Sequence, residues 1–284
     1  MFYAIFRNTV KTLLRSWIFW ITFIILLAVT LPSVWERPEV AAGYEYLLPT
    51  SLSFQLYCQH VGNLFQASFL SYALPVFAVI STVLVLNRDY GDQFFEIEKA
   101  ADISPAQYLI GRLSAIISLQ LLVVLVLSGL LLHAYVIGWG GVDGMSFGAY
   151  LIDSTLRICR WTVAAALPCI LICVGLTYFI GVLFRSGLVA TIGGLGYVIF
   201  YNAMMMYYVP LVLVKGFEPA KIYVHYLSYR PKMLIEYLFT IESGGGGILV
   251  RTSLGEALLC IGILVAFFVV FTAVSYWRVR RRET

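Results

Sequence analysis

The sequence predicts an all-α polytopic membrane protein folded as a single transmembrane domain, 1–284. Two observations carry that expectation. Hydrophobic residues make up 61% of the 284 and charged residues 12%, against roughly 25% charged in a soluble domain. Apolar area left in water costs about 25 cal/mol per Å², so a chain this poor in charge is solvated by lipid. The apolar residues also gather into six runs long enough to cross a bilayer core of about 30 Å at about 1.5 Å per residue. One compact bundle accounts for the length, with no room for a second soluble domain.

Residues 1–16 precede the first run. Phe2, Ile5, Phe6, Val10, Leu13 and Leu14 recur at helical spacing, with Arg7, Lys11 and Arg15 between them. This predicts a helix in the membrane interface, apolar face toward acyl chains and basic residues toward headgroups. The alternative is a first span that begins early. No small-residue cleavage site follows, so a removable signal peptide is not expected. The six spans are placed at 17–34, 64–86, 113–137, 161–184, 188–209 and 257–277, the fourth and fifth split by the polar turn "RSG" at 185–187. The segment 210–256 holds the amphipathic "KMLIEYLFTI" and then four glycines at 244–247. Short helices at the outer leaflet, ended by an irregular joint, are expected there. The five cysteines, Cys58, Cys159, Cys169, Cys173 and Cys260, are an odd number and read first as small buried hydrophobes.

Orientation follows from lysine and arginine near the span ends. With both termini cytoplasmic, the inner side holds eleven basic residues against six acidic ones, and the outer loops eight against nine. The closing "WRVRRRET" is the strongest contribution, with Trp277 at headgroup depth and four arginines beyond it.

Several chemistries lack their residues. There is no G-x-x-x-x-G-K-[ST]; "SGGGGILVRTS" lacks the second glycine and the lysine at the required spacing, so a phosphate-cradling loop is not expected. His60, His133 and His225 are far apart and none has a partner at i+4, which argues against a metal hydrolase. Charge inside a span is costly and is kept for a role, yet the central parts of the six spans hold no Asp, Glu, Lys or Arg. A proton- or ion-driven carrier would lack its relay. Gln120 is read as a hydrogen bond between helices.

The charged segment 88–104 between spans two and three stands apart. Its first fifteen residues carry seven charges, five of them acidic. Residues 92–102 fit a short helix in which Phe94, Ile97, Glu98 and Ala101 share a face and Glu96 can pair with Lys99. Ser104 then caps a new helix, with Pro105 at its first position. A solvated loop is one reading. The adjacent Phe94 and Phe95 favour another, because both cannot bury against the bundle and one invites a partner.

The order of an interfacial helix, a first span, a cytoplasmic helical insertion and a long outer segment before span six resembles the ABC-2 type permease family. These are the membrane subunits of ABC exporters. Asp89 and Gly91 resemble the family's acidic-glycine start, and Ser104, Tyr108 and Gly111-Arg112 resemble its later part. Asp102 and Pro105 depart from the usual proline and arginine, and the gap from Gly91 to Ser104 is about two residues long. The resemblance implies that 92–102 is a coupling helix seated in a separate ATPase subunit. Phe94 and Phe95 would be its docking residues, with Glu96, Glu98 and Lys99 setting polar register. It implies two permease chains, identical or homologous, and two ATPase copies. ATP and Mg would enter through the ATPase, with no cofactor, metal or catalytic residue in this chain. It also implies export across a bacterial plasma (inner) membrane. Membrane lipid is an expected partner and nucleic acid is not.

Span five offers a candidate substrate path. Ala190 and Gly194 lie four apart, as do Tyr197 and Tyr201, and Asn202 and Met205 follow. Ordinary packing between spans explains each residue singly. Together they point to a path for an amphipathic or hydrophobic substrate such as a peptide, antibiotic or lipid. Two further functions stand beside the exporter: a carrier or channel without ATP, and a membrane-anchored sensor or assembly factor.

Overall fold

The computed structural model describes residues 2–35, 73–91, 103–138, 147–203 and 253–281, with side chains left aside in 29–35, 128–138 and 147–165. Among the described residues all of the regular structure is helical. In chain order the described helices are α1 (Phe2–Arg15), α2 (Trp17–Trp35), α3 (Leu74–Gly91), α4 (Pro105–Gly138), α5 (Phe147–Phe184), α6 (Gly187–Ala203) and α7 (Leu254–Arg280).

Three of them, over Pro105–Leu127, Ala166–Phe184 and Leu254–Arg280, are long and apolar enough to cross a membrane. A fourth is added if α1 and α2 form one broken span. The chain is therefore a helical membrane protein. The expected outer portions of spans two and five, 64–72 and 204–209, and the short helices expected within 210–256 lie outside the described residues.

The first break is sharp. α1 and α2 meet at 68°, with Ser16 donating to the Leu13 carbonyl at 3.1 Å and the Trp20 indole donating to the Leu14 carbonyl at 2.8 Å. A first span that merely starts early would be straight, so α1 is a separate element. Its basic residues Arg7, Lys11 and Arg15 are exposed, as the periodicity predicts. Its buried stripe is a correction: Ile5, Thr9 and Leu13 face protein, chiefly α4, rather than acyl chains. Phe2 and Leu14 stay exposed.

α5 is the central helix, packed on α3, α4, α6 and α7. It runs through Pro168, a residue tolerated in membrane helices because neighbours re-satisfy the freed carbonyl. Arg185, at φ 54°, makes the left-handed turn into α6 and places it back against α5 and α3. The packing there needs glycine: a Cβ on Gly194 would fall 2.6 Å from Thr177 Oγ1 and 2.8 Å from Val79 Cγ1. Gln120 Nε2 reaches the Ala78 carbonyl of α3 at 3.5 Å, the interhelical contact expected of it. Cys169, Cys173 and Cys260 are buried in the core, as expected for small hydrophobes.

Two helix starts obey local rules. Ser104 Oγ accepts from the Gln107 N–H at 3.3 Å, so α4 begins at Pro105 as its punctuation predicts and carries the third span eight residues earlier than 113. α7 begins with a reciprocal cap. Ser253 Oγ accepts from the Glu256 N–H at 3.2 Å, and the Ser253 N–H donates to Glu256 Oε2 at 2.8 Å. That S-x-x-E signal stood in the sequence and extends the sixth expected span back from 257 to Leu254.

Candidate functional site

The end of α3, the start of α4 and the whole of α1 converge on a buried polar cluster. Arg112 lies two turns into α4 and is 1% exposed. Its Nη2 donates to Asp89 Oδ1 at 2.6 Å, and its Nη1 donates to Thr9 Oγ1 at 2.8 Å. The Tyr108 hydroxyl donates to the other carboxylate oxygen of Asp89. Tyr108 and Arg112 can both reach Asp89 because positions i and i+4 share a helix face. The Arg112 guanidinium also sits 5.2 Å from the Tyr108 ring centroid. Thr9 completes the chain by donating to the Ile5 carbonyl at 2.8 Å.

A second contact repeats the pattern one turn along α1. Arg88 Nη1 donates to Thr12 Oγ1, and Thr12 donates to the Asn8 carbonyl at 2.8 Å. Two hydroxyls on one helix thus receive an arginine from each of the helices flanking 92–102. Tyr90 ties the same end of α3 to α5 by donating to the Gly181 carbonyl at 2.7 Å. Tyr178 of α5, buried in the core, closes the cluster from behind. The close approach of α1 requires glycine: a Cβ on Gly111 would fall 2.9 Å from Ile5 Cγ2.

The electrostatics explain why all these partners are present. Taking two charges out of water costs several kcal/mol each, and only good geometry with further hydrogen bonds offsets it. Asp89 is bonded through both oxygens, and Arg112 through both terminal nitrogens. The arrangement is suited to holding helix ends in one geometry. Arg112, which the charge rule counts as a basic residue of the inner face, faces protein.

Asp89, Tyr108, Gly111 and Arg112 were singled out in the sequence and are brought together. Thr9 and Thr12 were missed; hydroxyls on an amphipathic helix fit either face, and nothing local marks them. Phe94, Phe95, Glu96, Glu98 and Lys99 lie outside the described residues, as does Met205. On α6, Gly187, Ala190, Gly194, Val198 and Tyr201 form the buried stripe. Tyr197 packs beside the core, and Asn202 Nδ2 donates to the Val198 carbonyl of its own helix at 2.9 Å. Among the described residues no group of three or more His, Cys, Asp or Glu is placed to hold a metal ion.

Fold and cluster define the class, a helical membrane protein with a buried ion pair joining the end of α3 and the start of α4 to the middle of α1. No family model, curated protein or solved structure matches the chain.

Proposed function

We propose that the chain is the permease subunit of an ATP-driven exporter whose hydrolysis is performed by a separate ATPase. The observation that carries this reading is the Asp89–Arg112 pair with its Thr9 partner. The segment 92–102, read as the docking helix, hangs from two helix ends bonded to each other and to α1. A push on a segment with independently mobile ends is absorbed locally. On tied ends it moves α1, α3 and α4 as one body, which is what a rigid-body transition needs. Phe94 and Phe95 are the docking residues, with Glu96, Glu98 and Lys99 setting polar register.

The rest of the reading follows from the charge distribution and the resemblance. The chain crosses a bacterial inner membrane six times with both termini cytoplasmic, and α1 lies at the inner interface with Arg7, Lys11 and Arg15 toward headgroups. Two permease chains work with two ATPase copies, which bind ATP and Mg. The substrate is an amphipathic or hydrophobic peptide, antibiotic or lipid passing along α6, near Tyr197, Tyr201, Asn202 and Met205.

The test is co-purification of the full-length chain with an ATPase encoded in an adjacent reading frame. The reading predicts a stable complex that a Phe94→Ala, Phe95→Ala double variant no longer forms, while Phe200→Ala, exposed on α6, still does. Undiminished capture of the double variant contradicts the docking assignment. No capture of the wild-type chain favours the sensor or assembly-factor reading.

A further inference from the structure

Where α4 begins and α7 ends, the two helices leave a groove of about 340 Å³. Leu109 and Ile110 form one wall, and Phe268, Val269, Ala273 and Tyr276 the other. Thr272 also lines it. Its Oγ1 is buried without a hydrogen-bond partner among the described residues, although Thr9, Thr22, Ser81, Thr82 and Thr191 each bond the carbonyl four residues back.

The mouth has a different chemistry. The groove stripe of α7 runs Val269, Thr272, Ala273, Tyr276, and the next position at i+4 is Arg280, which is exposed. Arg278, two residues before Arg280, lies on the opposite face of α7 from the groove stripe, and Arg281 follows as the helix C-cap. Arg281 lies 3.8 Å from the Trp277 ring centroid, and Trp277 is half-exposed, as in a side chain at headgroup depth. The opposite wall starts at Ala106, in the first turn of α4, whose N-terminus is the positive end of a helix dipole.

We infer that this groove binds one anionic phospholipid, with an acyl chain between α4 and α7 and its phosphate at Arg280. An apolar slot that ends in a cation fits an amphiphile of that charge. Its volume is at the low end of the roughly 300–1,000 Å³ of small-molecule pockets, which suits a chain better than a bulky ring system. A second copy fits poorly, because two copies in one membrane orientation place their arginine clusters at the same depth, where they repel. The inference does not depend on ATP coupling or on which face is cytoplasmic.

The experiment is native mass spectrometry of the full-length chain in detergent, titrated with phosphatidylglycerol or phosphatidylcholine of identical chains. Each arginine near an anionic headgroup contributes roughly fivefold. The wild type is therefore expected to retain one phosphatidylglycerol with roughly fivefold preference over phosphatidylcholine. Arg280→Gln is expected to bring the two lipids near parity, whereas Arg278→Gln, on the opposite face of α7, is expected to leave the preference intact. Ala273→Phe, which fills the slot, is expected to abolish retention of both; Ile110→Trp makes the same test from the α4 wall if that variant does not fold. Equal retention of the two lipids by the wild type overturns the inference, and so does a preference that survives both Arg280→Gln and the slot-filling variants. Groove variants that alter the monomer–dimer balance while lipid retention persists overturn it in favour of a subunit interface.

Discussion

Arg112 has more consequences than any other single residue in the described structure. It is buried, ion-paired to Asp89 and hydrogen-bonded to Thr9, so removing one partner strands the other charge. Arg112→Met or Asp89→Asn is expected to destabilise the protein by about 3–5 kcal/mol. The double variant Asp89→Leu, Arg112→Met is expected to recover much of that loss, since apolar replacements of a whole pair are often neutral. Equilibrium unfolding in detergent micelles measures both, and additive losses would contradict the pairing. The sequence carried part of this. Tyr108 and Arg112 stand at i and i+4, a spacing that places them on one face, and Asp89 was visible through the resemblance. Their burial was not legible, because counting basic residues by side treats each arginine as facing headgroups, and the partner that draws this one inward is 23 residues away in sequence.

At the scale of elements, the basic face of α1 behaves as its periodicity predicts and its apolar face does not. Amphipathic spacing identifies the helix, and the 68° bend makes it distinct from α2. The direction of its apolar face could not be read from periodicity, since lipid and protein select the same residue types. What settles it is the fit of Ile5 over Gly111. Gly111→Ala is expected to cost about 1–3 kcal/mol by overpacking. Ile5→Ala in the same chain relieves the clash, so the pair is non-additive by about 0.5–3 kcal/mol. A double-mutant cycle on micellar stability measures the coupling, and strict additivity would place α1 away from α4. The small residues of α6 were equally visible, and the structure uses Gly194 for close packing against Thr177 and Val79.

At the scale of the whole molecule, helices radiate from α5, and the polar groups that join α1, α3, α4 and α5 gather at one end. The helical membrane class was legible from composition together with the apolar runs of bilayer length, because a soluble surface needs charge that this chain lacks. Three or four of the six expected spans are met by described helices. The central functional claim is that this end transmits the movement of an ATPase seated on 92–102. The most direct measurement is the ATP hydrolysis rate of that ATPase alone, with the wild-type chain, and with the Asp89→Leu, Arg112→Met variant, each reconstituted in vesicles. The account predicts that the wild-type chain changes the rate and that the variant still binds the ATPase but leaves its rate near that of the isolated subunit. A rate unaffected by the wild-type chain, or one changed equally by the variant, would contradict it.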